Sequence, residues 1–182
     1  MIHLVLGGAR SGKSSYAEQE TLLLANSDKN SVTYIATATA TDEEMVARIN
    51  RHQVKRGKQW KLIECPLLLT KQISQATNEN IYLIDCLTLW LNNLIYSLET
   101  DILSDKDQLI AQEVDDLVYS LSHSNSTFII VSNEVGQGIV PMGETTRLFV
   151  DHSGWMNQKI AAIADKVTLV VAGLPMMLKS NG

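Results

Sequence analysis

The chain has 182 residues, of which 45% are hydrophobic and 19% charged, with a formal net charge of -5. That is enough apolar sequence for one domain, residues 1–182, with a substantial core, and too much for a disordered chain. The acidic balance gives no global drive toward nucleic acid or a membrane surface, no apolar run approaches the roughly 18 residues of a membrane span, and the opening stretch reads as a strand rather than a secretory signal.

The first predicted strand, Ile2–Leu6, runs into Gly7-Gly8-Ala9-Arg10-Ser11-Gly12-Lys13-Ser14, and a helical pattern follows from Lys13 to Ala25. Strand, glycine-rich loop and helix in that order make this a phosphate-binding loop rather than a chance turn. Gly7, Gly8 and Gly12 let the backbone close around phosphate oxygens with its N–H groups inward. The helix start adds its positive end. Lys13 is placed to reach the β- and γ-phosphates, and the Ser14 hydroxyl to hold Mg²⁺.

The next predicted strand is Val32–Ala36, followed by a helix over Asp42–Arg56 that starts acidic and ends basic, as its dipole prefers. Thr41 with Glu44 would cap it. Arg48 and His52 share a face, and His52 lies among Arg51, Lys55 and Arg56. By spacing alone this is a solvated basic face. The sharper alternative is a phosphate-binding surface whose neutral imidazole attacks a phosphoryl group.

Further strands are expected at Lys61–Glu64, Ile81–Asp85, Thr127–Ser132 and Val167–Val171, with helices near Leu67–Gln75, Leu87–Leu98, Lys106–Leu121 and Thr145–Ala164. The strands are short and apolar on both faces, as buried parallel strands are. On the helix over 106–121, Ile110, Val114, Leu117, Val118 and Leu121 share a face, and Ser104 with Asp107 would cap its start. Glu99–Asp107 reads as a polar surface loop. Asp85 closes an apolar strand, which suits either an acid on the Mg²⁺ side of a phosphate loop or a cap for the helix that follows. Asn133 to Pro141 follows a strand and so borders the same sheet edge, as a functional loop or as an ordinary connection. Cys65 and Cys86 form no metal-binding spacing and read as reduced core thiols of a cytoplasmic protein. The alternation of β and α implies an α/β fold, a mostly parallel sheet with helices on both faces.

Taken together, the motifs resemble the bifunctional adenosylcobinamide kinase/adenosylcobinamide-phosphate guanylyltransferases of cobalamin biosynthesis. The matching residues are Gly7 to Ser14, Tyr34-Ile-Ala-Thr37, Asp42 to His52, Trp60 with Glu64, Ile84 to Trp90, Asn133 to Gly136 with Gly138 to Pro141, and Arg147 through Asp151 with Gly154, Asn157 and Gln158. They run in family order over nearly the whole chain.

The resemblance implies a RecA-like phosphate-loop fold, usually assembled as a homotrimer, and two reactions. A nucleoside triphosphate, ATP or GTP, phosphorylates the aminopropanol hydroxyl of adenosylcobinamide. GTP then gives GMP to the resulting phosphate, with release of pyrophosphate. A histidine matching His52 carries the GMP covalently. Gly7, Gly8, Ala9, Arg10, Ser11, Gly12, Lys13 and Ser14 would bind the triphosphate, with Thr37, Ala38, Thr39, Gln53, Val54, Lys55, Arg56, Glu64 and Asp85 completing the site and Ser14 and Asp85 on the Mg²⁺ side. The chain departs from the family pattern at Cys65, where many relatives carry a second acid, and at Val150, a commonly basic position.

The rival readings are a small-molecule kinase without guanylyl transfer, a GTPase switch and a RecA-like motor on nucleic acid. The chain has no Asn-Lys-x-Asp motif for guanine, and Asp151-His-Ser-Gly154 comes too late to serve a switch. Its acidity and 5% aromatic content disfavour binding along a nucleic-acid strand.

Overall fold

The computed structural model describes residues 1–28, 31–39, 60–78, 80–98 and 102–180. The strands are β1 (Ile2–Gly7), β2 (Ser31–Ala36), β3 (Trp60–Glu64), β4 (Asn80–Asp85), β5 (Thr127–Asn133), β6 (Lys166–Val171) and β7 (Leu174–Ser180). The helices among the described residues are α1 (Lys13–Asp28), α2 (Leu69–Ser74), α3 (Leu87–Ser97), α4 (Leu103–Ser122) and α5 (Glu144–Ile163). The expected helix over Asp42–Arg56, with its Thr41 and Glu44 cap, lies outside the described residues.

Among the described residues one seven-stranded sheet joins the strands in the order β3-β2-β4-β5-β1-β6-β7. Every pairing is parallel except β6 with β7. The first strand therefore lies inside the sheet, between β5 and β6, and the apolar run that encodes it is buried on both faces.

Two apolar layers flank the sheet. On one face Val5, Val32, Tyr34, Ile81, Leu83, Ile129, Val131 and Val170 meet α1 through Ala17 and Ala25. Ala17, Thr21 and Ala25 are spaced four apart and buried, so α1 presents a stripe of small side chains that lets it lie close to the strands. On the other face the alternate residues of the strands, Leu4, Leu6, Ile35, Tyr82, Ile84, Phe128 and Ile130, meet α2, α3, α4 and α5. Trp90 is fully buried there, and its indole N–H donates to the Leu67 carbonyl at 2.9 Å. Helices on both faces of a mostly parallel sheet are what the alternating pattern predicts.

One local expectation is corrected, and one further strand appears. Helix α4 begins at Leu103, so Leu103 to Asp107 is helical rather than loop, and the N-cap is Ile102 with no side-chain cap. Asp105, in the first turn, supplies the negative charge that the helix start favours. The segment after Gly173 forms β7, an antiparallel edge strand that leaves Leu174, Met176, Met177 and Leu178 exposed. No helix among the described residues is long and apolar enough to cross a membrane.

Candidate active site

The phosphate loop leaves β1 at Gly7 and enters α1 at Lys13. A Cβ on Gly7 would lie 2.5 Å from Ser11 Oγ and 2.6 Å from the Val170 carbonyl oxygen, so only glycine fits. Gly12 has φ +94, and a Cβ there would meet Gly173 Cα at 3.2 Å. At Gly8 a Cβ would meet no protein atom, so protein packing does not demand a glycine at that position. Arg10 holds a positive φ of 57. The loop is tied internally by Ser11 N–H donating to the Gly8 carbonyl at 3.2 Å, and externally by Gly173 N–H donating to the Ser11 carbonyl at 2.8 Å. Lys13 is buried, and its ammonium donates to the Gly8 carbonyl at 3.1 Å. That bond folds the side chain back over the loop it serves. Ala9 and Arg10 are exposed, while Ser11 and Ser14 are half-buried.

The strand register fixes where the two acids stand. Val5 pairs with Val131, Val131 with Asp85, Asp85 with Ala36, and Ala36 with Glu64. These residues form one row across the sheet. Period-2 alternation puts Glu64 and Asp85 on the face that carries α1, because Trp60, Leu83, Val131 and Val5 belong to that layer. Adjacent strands are about 4.8 Å apart, so Asp85 stands about 10 Å from β1, with Glu64 about 10 Å further along the row. Asp85 is half-buried and Glu64 exposed. Asp85 Oδ2 accepts a hydrogen bond from the Tyr34 hydroxyl at 2.9 Å. Helix α3 takes Cys86 as its N-cap residue, without a side-chain cap. The capping alternative for Asp85 is thus not the one the structure adopts.

Around this row the backbone is held by a polar relay. The Asp85–Cys86 peptide bond is cis. Thr37 is fully buried; its hydroxyl donates to the Cys86 carbonyl at 2.7 Å and accepts from Cys86 N–H at 2.8 Å. Its role is therefore to fix the strand ends, while Ala38 is half-buried and Thr39 exposed. Asn93 donates to the Thr37 carbonyl at 2.8 Å and to the Pro66 carbonyl at 3.1 Å. Thr88 Oγ1 accepts from both the Asn133 N–H, at 3.1 Å, and the Asn133 side-chain amide, at 2.8 Å. Asn157 in turn donates to the Asn133 carbonyl at 3.2 Å. The loop after β5 reaches the phosphate loop directly, because Glu134 N–H donates to the Gly7 carbonyl at 3.1 Å. Further on, Arg147 holds the carbonyls of Pro141 and Met142.

Both cysteines are free and buried. Burial pushes the Cys86 thiol up, and the neighbouring Asp85 charge adds to the effect. Burial also raises Cys65. Neither is a nucleophile in this setting, which agrees with core thiols.

The structure thus brings Gly7 to Ser14, Thr37 to Thr39, Glu64 and Asp85 to one edge of the sheet. His52, Gln53, Val54, Lys55 and Arg56 lie outside the described residues. Sequence reading gave no role to Tyr34, Thr88, Asn93 or Gly173. The one available signal was Tyr34 itself, since a tyrosine inside a buried strand needs a partner for its hydroxyl. The Ser14 hydroxyl and Asp85 carboxylate are hard oxygen donors of the kind Mg²⁺ takes. Among the described residues there is no group of three or more His, Cys, Asp or Glu that could hold a metal ion.

A glycine-rich loop between a parallel strand and a helix, with a lysine folded over it and an acid at a strand end two strands away, defines a P-loop nucleotide-binding protein. Solved structures of similar fold include an ATPase domain (TM-score 0.50, 12% identity, covering 92% of this chain and 68% of that one) and the flagellar accessory protein FlaH of Methanocaldococcus jannaschii (TM-score 0.50, 15% identity, covering 99% and 78%). Residues 3–178 match the family described as cobinamide kinase / cobinamide phosphate guanyltransferase, and the chain belongs to that family of bifunctional transferases. It is 45% identical to the bifunctional adenosylcobalamin biosynthesis protein CobP of Pseudomonas aeruginosa, over 100% of this chain and 99% of the relative. It is 37% identical to the corresponding protein CobU of Escherichia coli K12, over 98% and 100%.

Proposed function

We propose that residues 1–182 act as one nucleotide-binding transferase domain that phosphorylates adenosylcobinamide and then guanylylates the product through a covalent GMP–His52 intermediate. The observation that carries this reading is the end-to-end family match, which spans the phosphate loop and His52 alike. In the first reaction the substrate hydroxyl oxygen bonds to the γ-phosphorus, the bond to the β-phosphate oxygen breaks, and the hydroxyl proton leaves. In the second, a His52 ring nitrogen attacks the α-phosphorus of GTP and pyrophosphate departs. An oxygen of the corrinoid phosphate then displaces the histidine and gives adenosyl-GDP-cobinamide.

The phosphate-loop N–H groups and Lys13 offset the charge that develops on the phosphates in both steps. Mg²⁺, held by Ser14 and Asp85, would add further neutralisation of the triphosphate. Ala38 and Thr39, together with Gln53 to Arg56 and Glu64, line the nucleotide in this reading, while the buried Thr37 holds the strand ends beneath them. A homotrimer is the proposed assembly on the family resemblance; the exposed apolar side chains of the β7 edge support self-association without fixing its stoichiometry. Sedimentation equilibrium tests it; a monomer at micromolar concentration would refute it.

Intact-protein mass spectrometry after incubation with GTP and Mg²⁺, beside His52→Ala, tests the chemistry. A GMP adduct on the wild type alone, labile in acid and stable in base, is the expected result. Absence of an adduct on folded, kinase-active protein would leave a phosphate-loop kinase and return His52 to a basic helix face.

A further inference from the structure

We propose that Tyr34 is a positioning residue for the active-site acid: its phenol aims the Asp85 carboxylate toward the metal side of the nucleotide. The inference rests on the reading above that Asp85 stands on that side. Tyr34 and Asp85 sit on adjacent strands, where Ala36 is the register partner of Asp85 and Tyr34 that of Leu83. Both project from the α1 face, and Tyr34 starts two residues further back from the sheet edge. A tyrosine is long enough to close that offset. Its hydroxyl donates to Asp85 Oδ2 at 2.9 Å.

The ring itself is well fixed. Tyr34 is buried, and the Trp60 ring meets it edge-on at 6.2 Å. The phenol is therefore a rigid post. Holding one carboxylate oxygen fixes the direction of the other, which an acid at a half-exposed strand end would otherwise lack. The backbone below the acid is fixed separately by Thr37 on Cys86. A tyrosine that only filled the core would need no hydroxyl, and phenylalanine would serve equally. Outer-shell partners of this kind typically change metal affinity by about 10-fold or more when removed.

The test uses the full chain, without corrinoid, and a GTP analogue carrying a methylene bridge between the α- and β-phosphorus, so that guanylyl transfer is blocked and no phosphoryl acceptor is present. Mn²⁺ binding to that complex is read by electron paramagnetic resonance in the wild type, Tyr34→Phe, Asp85→Asn, the double variant and Trp60→Phe. Tyr34→Phe should weaken Mn²⁺ binding by about 10-fold while thermal unfolding shows a folded protein. Trp60→Phe, which keeps the phenol and leaves an aromatic ring against it, should weaken Mn²⁺ binding less than Tyr34→Phe does. In the Asp85→Asn background the tyrosine substitution should add nothing. Undiminished Mn²⁺ binding in Tyr34→Phe, with Asp85→Asn impaired, would overturn the inference alone. Equal weakening by Tyr34→Phe with or without Asp85 would overturn it as well, because the hydroxyl would then act elsewhere. Unchanged binding in Asp85→Asn would overturn the metal-side reading and the inference together.

Discussion

Gly173 N–H donates to the Ser11 carbonyl at 2.8 Å, so the turn between the last two strands props the phosphate loop from below. Gly173 holds φ +81, and a Cβ there would touch nothing within 4 Å. The cost of Gly173→Ala is therefore conformational, about 1 kcal/mol, or a fall in melting temperature of roughly 2–4 °C. Gly12→Ala carries the same conformational strain plus a 3.2 Å contact with Gly173 Cα. Differential scanning calorimetry should show a larger loss for Gly12→Ala than for Gly173→Ala; the reverse order would mean that the two glycines do not pack as described.

Lys13→Ala should slow both phosphoryl and guanylyl transfer, each by about 100-fold or more, because in the proposed reading one ammonium faces the triphosphate in both steps. Separate assays of the two half-reactions measure this. Loss confined to one of them would require two nucleotide sites.

His3 predicts how stability depends on pH. It is buried on the α1 face and shares a 2.9 Å hydrogen bond with Thr168 Oγ1. Burial, helped by the Lys166 charge, pushes it down to about 4 from 6.5. Glu20, 3.9 Å from Nδ1, pulls the other way without prevailing, and Tyr16 packs edge-on against the ring. Between pH 6.5 and 4 the unfolded chain takes up a proton that the folded chain resists, so stability falls as pH falls through that window. The loss approaches about 3 kcal/mol near pH 4 and vanishes above pH 7. Urea unfolding from pH 7.5 to 4.5 should show a flatter profile for His3→Gln than for the wild type, and identical slopes would refute the assignment.

Thr88→Val keeps the shape of a buried side chain and removes the acceptor for both Asn133 donors. Asn133 is half-buried, so the expected cost is about 1–2 kcal/mol. Thr88→Ser should recover most of it. A serine variant as unstable as valine would point to lost packing instead of a lost hydrogen bond.

The phosphate loop and most strands were legible because their signals are local. A glycine pattern after an apolar run has one reading, and Ile2 to Leu6 or Phe128 to Val131 are apolar wherever one looks, as strands buried on both faces must be. β7 was not legible. Leu174-Pro-Met-Met-Leu178 neither alternates nor lies buried, and it becomes a strand only because β6 offers it an edge. The start of α4 was misread because Ser104 and Asp107 imitate a capping pair while lying inside the helix. The Tyr34–Asp85 bond depends on β2 lying beside β4, with β3 displaced to the edge, and strand order is not written in any window of sequence.

The hairpin beneath the phosphate loop also sets an order of events in the living cell. Ser11 is translated far ahead of Gly173, and at roughly 5–20 residues per second the ribosome needs about ten seconds or more to supply the prop. β1 likewise waits for both of its neighbours, β5 and β6, from the later part of the chain. A nascent chain stalled before Gly173 would carry the full phosphate-loop motif without the turn that supports it, so capture of a nucleotide should await synthesis of that turn.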